Sequence, residues 1–385
     1  MTDQPISPAF RVVIAGGGVA ALETAFALRA LAHDRLTITL VTPDEEFHYR
    51  PLSITEPFNR GTEENFSLAA LADLARAEVI ASTVTEVDQS RRQVITDDGA
   101  AIPYGALVVA TGATPYPRFA HTTTIDAAHT DELLHGLVLD LEQGYLHRLA
   151  IVVPAPPSWP FPAYELALMA AERGWDMQTD AKIVLLTPER LPLEMFGQAA
   201  SAEVAALLDS RGIELVTSAF CEVPRSKQVI AHPSGRLFEA DRIIALPQLR
   251  GPALKGLPHD GGGFLPVDDF GSVRGTDRVW AAGDATDHPI KQGGVAAGLA
   301  DVIARGIASM VGAPVVVRPY VPAVRGILLT GGQPRYLCGR PAWPGPRGES
   351  VFSEEIPEDM PAKIAARYLT PALRELSPST LGLPR

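Results

Sequence analysis

The hydrophobic pattern at the start of the chain predicts a strand, a glycine turn, a helix and a second strand. Residues 11–15 (RVVIA) form a short apolar run that stops at three consecutive glycines. Residues 19–31 carry apolar positions at helical spacing, and the β-branched run 36–41 (LTITLV) is typical of a buried strand. These segments predict a right-handed βαβ unit with parallel strands.

The same order of elements returns later in the chain. Residues 149–153 (LAIVV) predict a strand, residues 164–173 a helix, and residues 182–186 (KIVLL) another strand. The second strands end alike, in Thr-Pro-Asp at 42–44 and Thr-Pro-Glu at 187–189. We interpret this as an internal duplication. The alternative is that both units share one sheet, and either arrangement predicts an α/β fold with Rossmann-like units.

The segments between and after these units divide the chain further. Residues 78–87 and 93–96 predict a small β-meander, and residues 104–110 predict a buried strand that 242–245 and 278–282 resemble. After residue 313 proline becomes frequent, and a helix is predicted from Pro361 to Leu369, resuming after Pro371.

Composition and charge narrow the functional class. The net charge of −12 argues against a nucleic-acid partner, because binding phosphates requires a basic face. No apolar run approaches the roughly 20 residues that span a bilayer, and residues 1–10 lack the pattern of a secretion signal. The two cysteines, Cys221 and Cys338, form no CxxC pair, which excludes a cysteine-rich metal site and fits a cytoplasmic protein.

The glycine turn matches a dinucleotide-binding fingerprint. Gly16, Gly18 and Ala21 occupy the three small positions of G-x-G-x-x-G/A, with Val19 and Ala20 between them. The first glycine permits the tight turn, the second lets the backbone approach a pyrophosphate, and the helix N-terminus supplies N–H groups. A purely structural glycine turn is the alternative.

One position departs from this fingerprint. Thr42 stands where an acidic residue is expected to bind the adenosine ribose, and Asp44 or Glu45 would have to reach the sugar instead. Ribose recognition is therefore left open by the sequence.

A second pattern lies near residue 280. Residues 276–284 (TDRVWAAGD) predict a strand ending in Gly283-Asp284, and Lys291, Gln292 and Gly293 precede a helix of small residues. With these motifs the chain resembles the two-dinucleotide-binding-domain FAD flavoproteins, which include sulfide:quinone oxidoreductases and type II NADH dehydrogenases. The resemblance implies that Asp284 hydrogen-bonds the ribityl chain of FAD and that the helix beginning at Gln292 and Gly293 faces the flavin.

The resemblance covers most of the chain. Residues 104–113 (YGALVVATGA) are similar to a family segment beside the FAD, which implies contacts from Ala110, Thr111 and Gly112. Residues 47–52 resemble a loop that approaches the flavin, where Arg50 is expected to pair with a phosphate or to stay solvated, and Val84 matches a backbone contact to adenine. The implied domains are FAD-binding at 1–115 and 246–312, NAD(P)-like at 116–245, and a C-terminal interface segment at 313–385.

The second dinucleotide site departs from its family pattern. Where NADH-using members carry GxGxxGxE, residues 154–165 read PAPPSWPFPAYE. Proline has no N–H to offer a phosphate, so NAD(P)H binding in the usual manner is not expected. The segment instead resembles the proline-rich turn of the sulfide-oxidising branch.

Two residues are candidates for catalysis at the flavin. The resemblance implies that Glu165 approaches the flavin, where it would relay protons; a helix-start carboxylate favoured by the dipole is the alternative. Lys291 would stabilise negative charge on a reduced flavin, and a surface lysine is its alternative. His48, Tyr49 and Trp159 are candidates to line a substrate pocket or to serve in packing.

The expected activity is that of an FAD-dependent oxidoreductase performing two-electron chemistry. Cys221 and Cys338 fall in strand-like stretches and are expected to be small core residues, so the cysteine pair that sulfide oxidation needs is missing. A quinone or another small donor or acceptor is the leading expectation. An NAD(P)H-dependent reductase with atypical binding and a non-catalytic flavin-binding protein are the alternatives. A homodimer is expected, and the C-terminal helix is a candidate dimer contact, flavin cap or peripheral membrane contact.

Overall fold

The computed structural model describes residues 10–59, 64–125, 130–156, 159–340, 350–355, 357 and 362–377. The α-helices in these ranges are α1 (Val19–Ala32), α2 (Leu68–Ala75), α3 (Thr130–Glu142), α4 (Phe161–Asp176), α5 (Gln198–Ser210), α6 (Gly293–Met310) and α7 (Leu369–Leu376). Short 3-10 helices occupy His33–Arg35, Arg50–Phe58, Glu194–Phe196 and Gly283–Ala285.

The strands in the same ranges are mostly short. They are β1 (Phe10–Ala15), β2 (Leu36–Thr42), β3 (Glu46–Tyr49), β4 (Glu64–Ser67), β5 (Ala77–Ala81), β6 (Val84–Asp88), β7 (Gln93–Thr96), β8 (Ala101–Pro103), β9 (Ala106–Val109), β10 (Thr114–Tyr116), β11 (Thr123–Thr124), β12 (Arg148–Val152), β13 (Lys182–Leu186), β14 (Glu214–Val216), β15 (Phe220–Arg225), β16 (Gln228–His232), β17 (Arg236–Glu239), β18 (Arg242–Ala245), β19 (Gln248–Arg250), β20 (Val279–Ala281), β21 (Val324–Leu328), β22 (Arg335–Gly339) and β23 (Ser350–Ser353).

Two parallel five-stranded sheets repeat the same design. The first has the order β20-β9-β1-β2-β5, and the second has the order β11-β18-β12-β13-β14. Ala15 pairs with Val41 in the first sheet as Val152 pairs with Leu186 in the second. The two units therefore occupy separate sheets of a duplicated α/β fold, and the alternative of one shared sheet is wrong.

A three-stranded antiparallel meander is inserted at the same point of each repeat. It is β6-β7-β8 in the first repeat and β15-β16-β17 in the second. The predicted meander strand at 78–87 is corrected here: β5 joins the parallel sheet beside β2, and the meander begins at β6. The strand is interrupted at Ser82 and Thr83, where the Ser82 hydroxyl donates a hydrogen bond to Asp97.

The C-terminal segment packs on both repeats. Strand β23 lies against α5 of the second repeat, whereas α7 lies against α1 and α2 of the first. The helix predicted from Pro361 to Leu369 is wrong, because residues 362–368 are irregular and α7 begins at Leu369. Pro371 is tolerated in α7 because it lies in the first turn, where backbone N–H groups have no partner within the helix.

Helix α6 is the most apolar long helix among the described residues. By length and composition alone it could cross a membrane, although half of that stretch is buried inside the protein. It packs along α1, and Ala300, Ile303, Ala304 and Ile307 are fully buried. A core helix needs this same composition, so α6 carries no conclusion about a membrane.

Candidate active site

A cleft of about 610 Å³ lies where both repeats and the C-terminal segment meet. Its walls contain most of the residues that the sequence predicts: Gly18, Val19, Ala20, Arg50, Ala110, Gly112, Glu165, Gly283, Asp284, Lys291, Gln292 and Gly293. The predicted residues outside its lining are Gly16, Ala21, Thr42, Val84 and Thr111.

The glycine turn between β1 and α1 forms one end of the cleft. A Cβ on Gly16 would lie 2.3 Å from the carbonyl oxygen of Ala110, and Gly16 has φ of +122°. A Cβ on Gly18 would meet nothing within 4 Å. Gly18 also precedes α1 without any side-chain hydrogen bond to the helix N-terminus. Gly16 therefore closes the turn against β9, while Gly18 leaves the helix N-terminus open toward the cleft.

Asp44 lines the cleft next to this turn, whereas Thr42 lies outside the lining and contacts both Asp44 and the turn. Thr42 is buried, and its hydroxyl accepts a hydrogen bond from the backbone N–H of Asp44 at 3.3 Å. The same hydroxyl lies 3.0 Å from the Cβ position of Gly17. The carboxylate that the fingerprint lacks at Thr42 is thus available two residues later.

Three other predicted residues of the first repeat, Ala21, Thr111 and Val84, lie outside the cleft lining. Ala21 is fully buried between α1 and the sheet, as the third small position of the fingerprint requires. Thr111 is exposed between the two cleft residues Ala110 and Gly112. Val84 is buried at the start of β6, and its contact to adenine stays a prediction.

Helix α6 begins at the other end of the cleft. Gln292 caps it, because its side-chain oxygen accepts the N–H of Val295 at 2.9 Å. The Cβ position of Gly283 lies 3.2 Å from the Cβ of Ala20, so the turn that carries Asp284 touches the start of α1. Burial raises the pKa of the Asp284 carboxyl, and the nearby Lys291 ammonium opposes this effect. The N-termini of α1 and α6 thus converge on one cleft.

Lys291 is half-buried in the lining of the cleft, and its ammonium has partners there. Its ammonium donates to the carbonyl oxygen of Asp284 at 3.1 Å and to that of Thr286, and it lies 3.9 Å from the centroid of the Phe264 ring. Burial lowers the pKa of Lys291 to about 8, against the opposing charges of Asp284, Asp287 and Asp260.

Glu165 forms a buried ion pair that the sequence analysis does not anticipate. Its Oε1 accepts from Lys363 Nζ at 2.7 Å and from the N–H of Leu329 at 3.0 Å. The side chains of Glu165 and Lys363 are only 3% and 8% exposed, yet both residues line the cleft. Burial raises the pKa of Glu165, and Lys363 opposes the increase. Lys363 belongs to no recognisable sequence motif. The only signal in the sequence is that this lysine lies in an apolar stretch.

Glu23 is a buried glutamate that sequence reasoning missed. It is fully buried in α1 and accepts hydrogen bonds from the N–H groups of Arg367, Tyr368 and Leu369. Its signal was present, because it is the final residue of a G-x-G-x-x-A-x-E pattern that starts at Gly16.

The three aromatic pocket candidates take different places. His48 and Trp159 line the cleft. Tyr49 is buried outside the lining, and its hydroxyl accepts the N–H of Ile364 at 3.2 Å. Tyr49 therefore holds the C-terminal segment.

The second repeat lacks the glycine turn that opens the first. Val153 donates its N–H to Leu186 at 2.9 Å, as Gly16 does to Val41 at 2.8 Å, so Val153 takes the place of Gly16. The acidic residue after β13, Glu189, is buried and accepts hydrogen bonds from the hydroxyls of Tyr164 and Thr187, both at 2.8 Å. Burial raises the pKa of Glu189 to about 7.

Neither cysteine belongs to the cleft lining. Cys221 in β15 and Cys338 in β22 are partly buried and pack beside hydrophobic clusters. Burial raises the pKa of Cys221 to about 12, which disfavours the reactive thiolate.

Several curated proteins are similar in sequence. The chain is 28% identical over 305 residues to the ferredoxin reductase component of a chlorobenzene dioxygenase from Cupriavidus sp. (strain PS12), covering 74% of this chain and 69% of that protein. It is 28% identical over 294 residues to a sulfide-quinone reductase from Aquifex aeolicus, covering 72% of this chain but only 62% of that relative.

Solved structures share the fold. The sulfide:quinone oxidoreductase of Aquifex aeolicus superposes with a TM-score of 0.80 at 21% identity, covering 90% of this chain and 87% of that one. Putidaredoxin reductase, in its covalent complex with putidaredoxin, superposes with a TM-score of 0.63 at 19% identity, covering 90% and 88%.

The cleft fits FAD at both ends. A pyrophosphate needs a helix N-terminus that small residues leave accessible, and the open Gly18 position supplies one. A ribityl chain needs a fixed hydrogen-bond acceptor, and the desolvated Asp284 carboxyl at the α6 end supplies one. Asp44, which lines the cleft beside the glycine turn, is a carboxylate available for a ribose.

A family model described as pyridine nucleotide-disulphide oxidoreductase matches residues 10–152 and 161–301, well over half of the chain. The unmatched gap between these segments contains the proline-rich turn, where the second repeat departs from the first. The chain is an FAD-binding oxidoreductase and belongs to the pyridine nucleotide-disulphide oxidoreductase family.

Proposed function

We propose that this oxidoreductase exchanges electrons in pairs between FAD and a small apolar substrate of the quinone class, and that NAD(P)H is not its donor. The observation that carries the proposal is the contrast between the two repeats. Gly18 leaves the N-terminus of α1 open, whereas α4 of the second repeat follows a turn rich in proline.

The second repeat offers little to a nicotinamide dinucleotide. Val153 replaces the turn glycine, and Pro154, Pro156 and Pro160 have no N–H for a phosphate. Glu189, which follows β13 as Asp44 follows β2, is buried under Tyr164 instead of facing the cleft. A ribose would have to displace that phenol and break its hydrogen bond.

The proline turn contributes an apolar wall to the cleft. The rings of Trp159 and Phe161 are stacked, with centroids 5.0 Å apart and planes 14° from parallel. Further apolar residues around the cleft are Ile54, Ile125, Leu246, Leu249 and Ile327. A planar apolar substrate suits such a wall, because flat rings bind between apolar and aromatic side chains.

The Glu165–Lys363 pair supplies proton chemistry at that wall. Conversion of a quinone to a quinol requires two electrons and two protons. The Lys363 ammonium can donate a hydrogen bond or a proton to a substrate oxygen, and Glu165 holds it in place at 2.7 Å. In its reduced form, bound FAD would supply the electron pair and one proton, and Lys363 would supply the other proton. Lys291 supplies positive charge just before the start of α6.

Anaerobic spectroscopy of the purified FAD-loaded protein tests the proposal. We expect the oxidised flavin bands to persist after addition of NADH and then NADPH, and to return rapidly when a short-chain ubiquinone is mixed with dithionite-reduced enzyme. E165Q should slow the quinone reaction. E189Q, which changes a buried glutamate outside the cleft, should leave it unchanged. The proposal is contradicted if NADH or NADPH bleaches the flavin rapidly, or if the quinone does not reoxidise the reduced enzyme.

A second candidate is an NAD(P)H-dependent ferredoxin reductase. It is favoured by the relatives, because the ferredoxin–NAD(+) reductase subunit of a Pseudomonas putida benzene dioxygenase system is 27% identical over 301 residues, covering 74% of this chain and 68% of that protein. Bleaching by NADH in the same experiment would select this function.

A further inference from the structure

A strap formed by residues 362–368 closes one side of the cleft. Lys363 and Ile364 belong to the cleft lining. The side chain of Ile364 lies 2.9 Å from the Cβ position of Gly293, so the strap sits directly on the start of α6. A Cβ at residue 293 would press on the Ile364 side chain.

Three buried contacts fix the strap. Tyr49 accepts the N–H of Ile364 at 3.2 Å, and Glu165 binds Lys363 at 2.7 Å. At its far end Glu23 accepts from the N–H of Arg367 at 2.8 Å and from that of Leu369 at 2.6 Å. Tyr368 donates to both oxygens of Glu23 at 3.1 Å.

The contact with Glu23 is specific to a carboxylate. The N–H groups it accepts lie at the start of α7, which has no side-chain cap of its own. A helix N-terminus favours a negative acceptor, and three converging N–H groups can satisfy both oxygens of a buried carboxylate. A leucine at position 23 would fill the space but leave these three donors unpaired.

We propose that Glu23 is a positioning residue, which anchors the strap at the start of α7 and thereby keeps Lys363 on Glu165 at the cleft wall. The inference rests on the proposed role of that pair at the substrate. It adds a residue that lies in the first repeat and is not itself part of the cleft lining.

Different charged groups act on the pKa values of Glu165 and Glu23, and the pKa of Glu165 is the quantity that reports the position of Lys363. Lys363 is the charged group that acts on Glu165, and it opposes the rise in pKa that burial causes. Asp301 of α6 is the charged group that acts on Glu23, and it raises the pKa of Glu23 together with burial. A strap that drifts from its anchor weakens the hold of Lys363 on Glu165, so the pKa of Glu165 should rise.

The experiment is an infrared titration of the FAD-loaded protein without substrate, in which the band of the protonated Glu165 carboxyl is assigned by its loss in E165Q. We expect E23Q to shift this titration upward, in the same direction as K363M. E23Q should add no further shift in a K363M background. Amide exchange at residues 367–369 should rise about tenfold in E23Q, because glutamine keeps one acceptor oxygen and turns its NH2 group toward the remaining N–H donors.

L373A is the matched control, because Leu373 is a buried residue of α7 that leaves the bonds to Glu23 intact. The inference is overturned if E23Q leaves the titration at its wild-type position, if L373A shifts it as much as E23Q, or if the E23Q shift persists without Lys363. The titration needs no substrate, so its result is independent of whether a quinone proves to be the acceptor.

Discussion

Glu23 and Glu165 hold equivalent positions in the two repeats, each five residues after the residue that precedes its helix, Gly18 for α1 and Pro160 for α4. Both are buried, and both bind the C-terminal segment rather than their own repeat. The duplication therefore provides two matching anchor points, and one segment connects them across the cleft.

The ion pair between Glu165 and Lys363 should show strong energetic coupling. K363M leaves a carboxylate buried without its partner, which costs about 3–5 kcal/mol of unfolding free energy when the carboxyl is ionised. E165Q/K363M removes both charges and should recover most of that loss. Urea unfolding of the wild type, both single variants and the double variant measures the coupling, and simple additivity would contradict the buried pair.

Gly16 and Gly18 should respond in opposite ways to alanine. G16A places a Cβ 2.3 Å from a carbonyl oxygen and should lower the free energy of unfolding by at least about 2 kcal/mol, with or without FAD. G18A meets no protein atom, because its Cβ has open space. It should change the stability of the FAD-free protein by no more than about 0.5 kcal/mol and weaken FAD binding at least about tenfold.

Thermal unfolding of FAD-free protein and FAD titration followed by fluorescence separate these effects. Equal FAD affinity in G18A and the wild type would show that this end of the cleft does not bind the pyrophosphate.

The first repeat was predictable because its signals are local. Strand β1, the glycine turn and α1 follow one another in sequence, and each carries its own hydrophobic period. The end of β2 was harder, since the expected acid at Thr42 is displaced to Asp44 and only the fold shows which side chain reaches the cleft.

The C-terminal segment was poorly predicted because its conformation depends on distant residues. Residues 362–368 have helix-forming side chains, yet three of their backbone N–H groups, those of Ile364, Arg367 and Tyr368, bind Tyr49 and Glu23. The partners of Lys363 and Glu23 could not be assigned from sequence, because they lie 198 and 344–346 residues away along the chain. Tertiary hydrogen bonds here override local propensity.

Asp44 should supply the carboxylate for the ribose of FAD. D44N keeps the hydrogen bond from its N–H to Thr42 but removes the charge from the cleft. Hydrogen bonds to charged groups contribute about 1.5–3 kcal/mol, so FAD binding should weaken roughly 10- to 100-fold. E45Q changes the neighbouring carboxylate outside the cleft lining and is the control. Equal FAD dissociation constants for D44N and E45Q would contradict this role.

Lys291 should raise the midpoint potential of the bound flavin while it is protonated. Because its pKa is lowered to about 8, its charge is present at pH 7 and mostly absent at pH 9. K291M should lower the potential at pH 7 by about 30 mV, which is 1.4 kcal/mol for a two-electron couple, and by less at pH 9. K291R retains the charge at both pH values and serves as the control. Potentiometric titration gives the values, and an unchanged potential in K291M would remove Lys291 from the flavin environment.

Glu189 should make the second repeat less stable as the pH rises. Its pKa is about 7 in the folded protein, against 4.5 for an ordinary glutamate. Between these pH values the folded state holds a proton that the unfolded state has lost, so the free energy of unfolding falls with rising pH, by at most about 3.5 kcal/mol in total. E189Q cannot ionise and should lack this decline.

Urea unfolding of wild type and E189Q from pH 4.5 to 8 tests the sign. Y164F is the companion variant: it removes a donor that lowers the pKa of Glu189, so the decline should begin at the same pH and continue to a higher pH than in the wild type. Parallel stability curves for the wild type and E189Q would mean that Glu189 titrates normally in the folded protein. The second repeat would then retain an ionised carboxylate after β13, and the case against a nicotinamide site would have to rest on the prolines alone.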